Sequence, residues 1–116
     1  MAGYNALNLS FEADGAVSRG DVLYISGDNK VKATTGALGT VIGVAAVDAA
    51  DGELVTVQAD GIAKVVASGA IAAGAIVVSA ASGRVATVAS NTFDKVLGKA
   101  LQEATTAGDV IEILLG

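Results

Sequence analysis

One segment of the sequence occurs twice, and this duplication restricts the fold more than any other feature. Residues 20–31 read GDVLYISGDNKV, and residues 74–85 read GAIVVSAASGRV. Both copies contain a glycine, a short apolar run, a serine, a turn, a basic residue and a valine, at a constant separation of 54 positions. The correspondence continues at separations of 55 and 56, which relate VIGVA at 41–45 to VLGKA at 96–100 and GELVTV at 52–57 to GDVIEI at 108–113. One strand-turn-strand unit is therefore predicted to be used twice.

The spacing of turn signals predicts the fold class. Glycine-rich or acidic turns recur about every eight to twelve residues, as in a sandwich or barrel. Asp28-Asn29 and Asp60-Gly61 are dipeptides typical of hairpins, and Gly43 inside a strand indicates a bulge or a close backbone approach. No segment keeps the helical period of 3.6 for three turns. We predict an all-β fold, a compact barrel or sandwich, with at most one or two short helical turns.

The length of 116 residues predicts a single domain. Within it we expect an N-terminal arm and strand at residues 1–12, a first repeat at 18–59 and a second repeat at 72–115. Leu7, Leu9 and Phe11 alternate with polar residues, which is the period of a half-buried strand. The N-terminus lacks a basic region followed by an apolar run, so no signal peptide is expected.

The composition excludes several classes of function. Histidine and cysteine are both absent, which removes disulfides, thiol chemistry and the usual zinc ligands. The net charge of -5 argues against nucleic-acid binding, which depends on neutralising phosphates. Residues 65–82 carry no charge, but they are mostly Ala, Gly and Ser, so we expect no membrane span.

Motifs that could carry chemistry are weak. Asp48, Asp51 and Glu53 could supply the carboxylates of a glycosidase, but there is no aromatic platform for a sugar. Asp48 and Asp51-Gly52 also suggest a calcium loop, but the required spacing is not met. A solvated acidic turn is the preferred interpretation. Serine catalysis lacks a histidine base, and neither Ser-x-x-Lys nor Gly-x-Ser-x-Gly occurs. We therefore predict no catalytic, cofactor-binding or metal site.

Six short segments, in this order and spacing, resemble the small capsid decoration, or cement, proteins of tailed bacteriophages. The segments are RGDV at 19–22, VIGVA at 41–45, GELVTV at 52–57, GIA at 61–63, AIAAG at 70–74 and VLGKAL at 96–101. The resemblance implies a compact β domain that is not an enzyme and holds no cofactor. It implies a protein made in the host cytoplasm that binds the outside of the expanded phage head as a homotrimer and stabilises it. The expected partners are the major capsid protein and the chain itself, with no nucleic acid and no membrane.

The N-terminal segment is the candidate for the contact. We predict that Tyr4, Leu7, Leu9 and Phe11 meet the capsid or a neighbouring subunit, by adding a strand to a sheet edge. Two alternatives of another class stay open. One is a carrier or ligand-binding β domain that uses Lys95 or a pocket between the repeats, and the other is an adhesin-type module that displays Arg19-Gly20-Asp21.

Overall fold

Ten β-strands and no helix are formed by the residues that the computed structural model describes, which are 8–36, 41–88 and 96–115. The first five strands are β1 (Asn8–Ala13), β2 (Val22–Gly27), β3 (Lys30–Ala33), β4 (Val41–Ala45) and β5 (Leu54–Gln58). The other five are β6 (Gly61–Val66), β7 (Ile76–Ser79), β8 (Val85–Thr87), β9 (Val96–Ala100) and β10 (Val110–Leu115). The prediction of an all-β fold is confirmed.

The two sets of strands form two similar halves. Strands β1 to β5 close into a barrel in the order β1-β3-β2-β4-β5, in which β5 pairs antiparallel with β1. Strands β6 to β10 form a sheet in the corresponding order, β6-β10-β9-β7-β8. A parallel bridge between Ala67 and Val85 joins the ends of this second sheet. The second half is therefore an opened version of the first.

Corresponding backbone groups form the same hydrogen bonds in the two halves, which confirms the duplication. In each half, the amide of the glycine before the second strand donates a hydrogen bond to the carbonyl at the end of the fourth strand. In each half, a β-bridge also joins two loops. These bonds are Gly20 N to Ala45 O and Gly74 N to Ala100 O, and the bridges are Val17 with Ala49 and Ile71 with Ala104. Because sequence separations of 54 and 55 relate these positions, the repeat seen in the sequence is a repeat of the structure.

The core consists of two clusters of small and branched aliphatic side chains. One fills the barrel and includes Leu23, Val31 and Val57. The other fills the second half, and it also contains Val22 and Val44, which belong to the barrel strands. Side chains alternate across a strand, so Val22 lies on the opposite face from Leu23. The second half therefore packs against the outside of the barrel, and the two halves share buried apolar surface.

Gly43 and Gly98 occupy corresponding positions in β4 and β9, where a neighbouring strand lies very close. A Cβ atom at Gly43 would collide with the carbonyl oxygen of Gln58, and one at Gly98 would collide with that of Leu114. The β2/β4 register shifts next to Gly43, and the β7/β9 register shifts next to Gly98. The expectation of a bulge or close backbone approach at Gly43 is confirmed.

The two expected hairpins differ in outcome. Asp28-Asn29 connects β2 to β3, which pair antiparallel, and Asn29 has a φ of 57°. The prediction of a hairpin at Asp60-Gly61 is wrong, because β5 pairs with β1 and β4, whereas β6 pairs with β10. Gly61 does have the positive φ typical of such turns, but closure of the barrel has already occupied both sides of β5. The dipeptide instead leads from the first half to the second.

No helix in the described part of the chain is long and apolar enough to cross a membrane. The uncharged residues 65–82 instead contribute to β6 and form β7.

Candidate interaction surfaces

The predicted contact residues belong to the N-terminal segment. Tyr4 and Leu7 lie outside the described residues. Leu9 lies in β1 and is 38% exposed, whereas Phe11 is partly buried and packs against the barrel core. Of the two described residues, Leu9 has the more exposed side chain.

One edge of β1 is only partly paired. The strand pairs with β5 from Asn8 to Glu12. On its other side it pairs with β3 at Glu12 and Ala13, where Lys30 Nζ also lies 3.8 Å from Glu12 Oε2. Within the described residues, positions 8–11 have no strand partner on the β3 side. Such an edge can accept a strand from another chain.

The carboxylates of the acidic turn bind backbone amides of this chain. Asp48 Oδ1 accepts a hydrogen bond from Arg19 N at 2.7 Å, and Asp51 Oδ1 accepts one from Gly15 N at 2.9 Å. Glu53 Oε1 accepts one from Ala50 N at 2.8 Å. No group of three or more metal-ligating side chains occurs in the part of the chain that the structure describes. These carboxylates therefore fasten loops together rather than converge on a common ligand.

The pKa values of two aspartates, Asp21 and Asp109, are shifted by their surroundings. Partial burial raises the pKa of Asp21, a hydrogen bond from the Ser18 amide opposes this, and the charge of Asp48 adds to it. The pKa of Asp109 is lowered by hydrogen bonds from the amides of Thr105 and Thr106. Asp109 Oδ2 lies 2.9 Å from Thr105 N, so it caps the turn between β9 and β10. Both carboxyl groups bind the backbone of a turn, which is a structural role.

The two alternative functions depend on Lys95 and on Arg19-Gly20-Asp21. Lys95, the residue of the carrier alternative, lies outside the described residues. Arg19-Gly20-Asp21 lies in the connection before β2, and Arg19 lines an open groove of about 590 Å³ between the two halves. Lys64 and Glu112 line the same groove. The groove combines charges of both signs with valine and alanine, and these side chains do not indicate a particular ligand.

A row of four exposed residues crosses the second sheet. Ile62 pairs with Leu114, Leu114 pairs with Lys99, and Lys99 pairs with Ile76, so they lie side by side on β6, β10, β9 and β7. All four are exposed, and Ile76 is 41% exposed. We call this row the outer face. The sequence does not identify it, because AIVVS is apolar on both sides and its periodicity cannot show which side faces solvent. In VIEILL, Glu112 alone marks the side that carries Leu114.

Comparison with known proteins agrees with the resemblance found in the sequence. The family model described as phage cement protein matches residues 3–115. The chain belongs to the phage cement protein family. This makes it a capsid-associated structural protein, as predicted. Among curated protein sequences, none matches at a significant level.

A solved structure has the same fold as this cement protein. The head fiber gp8.5 N base of bacteriophage phi29 superposes with a TM-score of 0.72 at 22% sequence identity. The alignment covers 97% of this chain and 95% of that chain. At this level of identity the likeness concerns the fold, and it extends over both halves.

Proposed function

We propose that this cement protein binds the outer surface of the phage head as a homotrimer and stabilises the expanded capsid by contacting the major capsid protein. The observation that carries the proposal is the family match over residues 3–115. A cement protein has to stay soluble before assembly and still adhere to a shell. The net charge of -5 supports solubility, and the partly paired edge of β1 supplies an adhesive element.

The contact with the shell or with a neighbouring copy is assigned to Tyr4, Leu7, Leu9 and Phe11. Leu9 is partly exposed on β1, and the backbone of residues 8–11 has a side without a strand partner among the described residues. Added strands gain affinity from main-chain hydrogen bonds and specificity from alternate side chains. A trimer that bridges several capsomers gains further affinity, because its second contact forms at a high effective concentration.

Capsid binding can be measured by co-sedimentation with heads that lack the protein. We expect saturable binding to expanded heads, at a copy number that matches three-fold positions, and weaker binding to unexpanded heads. Heads that carry the protein should also retain their DNA at a higher temperature than heads without it. Binding to neither form of the head would contradict the proposal.

The role of the N-terminal segment is best tested by removing residues 2–7. This deletion leaves β1 complete, whereas a deletion that extends to Phe11 would also remove the partners of Val55 and Val57 in β5. We expect the shortened chain to keep its β-sheet circular dichroism and to lose most of its binding to expanded heads. The exposed substitution Ala72→Ser, far from β1 in sequence, serves as the control and should bind normally. Undiminished binding by the shortened chain would remove the segment from the contact.

A further inference from the structure

Because the chain is built from two similar halves, each surface of the first half has a counterpart on the second. The four residues of the outer face correspond to a row of barrel residues with the same pairing. In the barrel, Val22 pairs with Val44, Val44 with Gln58, and Gln58 with Asn8. The counterparts are Ile76, Lys99, Leu114 and Ile62, in the same order.

The two rows differ in what covers them. Val22 is 0% exposed because the second half lies over it, whereas its counterpart Ile76 is 41% exposed. A hydrogen bond from Val22 N to Gly83 O at 2.8 Å holds this contact at its edge. The outer face thus presents the same strand arrangement as a barrel row in which Val22 and Val44 are buried, but its own four side chains are exposed.

The surface that covers Val22 also has a counterpart. It includes Ala63 in β6, which is 4% exposed and belongs to the same cluster as Val22 and Val44. Ala63 pairs with Ile113 in the second half, and Leu9 pairs with Val57 at the corresponding position of the barrel. Leu9 is therefore the counterpart of Ala63, and it is 38% exposed. The barrel is closed beside it only at Glu12 and Ala13. Leu9 and the row from Ile76 to Ile62 are therefore exposed counterparts of the two parts of this contact, whereas other counterparts of the covering surface, such as Val31 and Val57, are buried in the barrel core.

We propose that a second copy of this chain covers the outer face, and that it does so with the surface around Leu9. The contact repeats, between chains, the packing of the two halves within a chain. It deepens the self-association in the proposed function and rests on that part alone. Such a contact joins two different surfaces, and it forms a ring when the rotation between copies closes. In a ring of three copies, six similar halves alternate between contacts within a chain and contacts between chains.

The distribution of charge supports this pairing. Residues 1–60 contain eight acidic and three basic side chains, whereas residues 61–116 contain four of each. The entire net charge of -5 therefore belongs to the first half. The outer face carries Lys99 where the barrel has the buried Val44, and Lys64 lies on the same side of β6 as Ile62. Lys99 on the outer face matches the acidic first half, while Lys64 lies opposite Glu112 on the same side of the sheet.

The oligomeric state of the full chain provides the first test. We expect the wild-type protein to sediment as an oligomer and Ile76→Asp to sediment as a monomer with unchanged circular dichroism. Lys99→Glu should shift the equilibrium the same way, because it places a negative charge against the acidic half. Leu54→Asp is the matched control, since Leu54 is 75% exposed and its pairing with Glu12 puts it on the opposite face of the β1–β5 pair from Leu9. Equal oligomer content in Ile76→Asp and the wild type would overturn the proposal.

Cross-linking provides the second test, because the chain has no cysteine. Leu9→Cys and Ile76→Cys are made as separate proteins, mixed, and treated with a short bismaleimide, in solution and on expanded heads. A contact between different surfaces should give a cross-linked product in the mixture and none from either variant alone. Homodimers of Ile76→Cys would show that two outer faces meet, and a mixture without product in both settings would show no contact. Either result overturns the proposal.

The outcomes also separate this inference from the proposed function. Head binding without any cross-link between Leu9→Cys and Ile76→Cys would leave the capsid role in place and remove the contact. A cross-linked oligomer that binds no heads would do the reverse.

Discussion

At the scale of single residues, two glycines control how closely the strands approach. Gly43 and Gly98 each face a carbonyl oxygen of the adjacent strand at a distance that leaves no room for a Cβ atom. Since the obstacle is backbone, a side chain cannot be accommodated by a rotamer change. Sequence reasoning could identify Gly43 as unusual because glycine is rare inside strands, but it could not identify the carbonyl that excludes a methyl group.

We expect Gly98→Ala to lower the free energy of unfolding by about 1–3 kcal/mol or more, which is the range for overpacking a rigid site. Gly43→Ala should have a similar effect. Urea unfolding followed by circular dichroism measures this. Gly69→Ala is the control, since no atom lies within 4 Å of a Cβ atom there and the change should be nearly neutral. An equal midpoint for Gly98→Ala and the wild type would show that β10 can move aside.

Asp109 should make the free energy of unfolding depend on pH in the acidic range. Its pKa is lowered from 3.8 by the hydrogen bonds of the Thr105 and Thr106 amides, so the folded state binds its proton less tightly than the unfolded state. The stabilisation is present above pH 3.8 and is lost as the pH falls through the lowered pKa. The raised pKa of Asp21 acts in the opposite sense, because protonation relieves its desolvation.

We therefore expect Asp109→Asn to flatten the decline of the unfolding free energy below about pH 4. Asparagine keeps an oxygen that can accept the amide hydrogen bonds, so the change tests the charge. Chemical unfolding at a series of pH values provides the measurement, with Glu103→Gln as an exposed control of the same charge. An unchanged pH profile for Asp109→Asn would rule out this carboxylate as a contributor.

At the scale of elements, the joint between the two halves depends on buried polar contacts of Thr34. Its hydroxyl donates to the carbonyl of Ala80 at 2.7 Å, and its carbonyl accepts from the amide of Gly83 at 3.0 Å. Thr34 is buried, and its counterpart in the second half is Val88, which has no neighbouring half to bind. The same position of the repeat is therefore polar where a joint exists and apolar where it does not.

Thr34→Val should lower the free energy of unfolding by about 1–3 kcal/mol, because the partly buried carbonyl of Ala80 loses its donor while the shape of the side chain is kept. Thr35→Val, at the exposed neighbouring position, is the control and should change stability by less than about 0.5 kcal/mol. Thermal or urea unfolding gives both values. A neutral Thr34→Val would mean that another group satisfies Ala80.

The sequence predicted the positions of the strands better than it predicted which strands pair and which side chains are exposed. The duplicated strand-turn-strand segment corresponds to β2 and β3, and the predicted strand around Gly43 corresponds to β4. The structural correspondence also includes β1 and β6, which read NLSFEA and GIAKVV and share no pattern that a sequence comparison detects. The run VLYI at 22–25 is apolar on both faces, which predicts a fully covered strand, but Ile25 is exposed. Pairing and exposure depend on how the halves pack, and no local pattern contains that information.

At the scale of the whole molecule, the halves should not unfold independently. The barrel residues Val22 and Val44 are buried in the cluster of the second half, so opening either half exposes surface of the other. Because the two halves share this buried surface, their stabilities are coupled. A ring built from repeats of this contact would extend the coupling from one chain to the next.

Tyrosine fluorescence can test this coupling, because the chain has two tyrosines and Tyr24 lies in the barrel strand β2. In a Tyr4→Phe background, Tyr24 reports on the first half alone. Gly98→Ala destabilises the second half directly, through β9 and β10. If the halves form one cooperative unit, this substitution lowers the urea midpoint of the Tyr24 signal as much as that of the circular dichroism signal. A Tyr24 midpoint that stays at its original value would show that the barrel folds without its partner, and the shared core would then contribute packing without cooperativity.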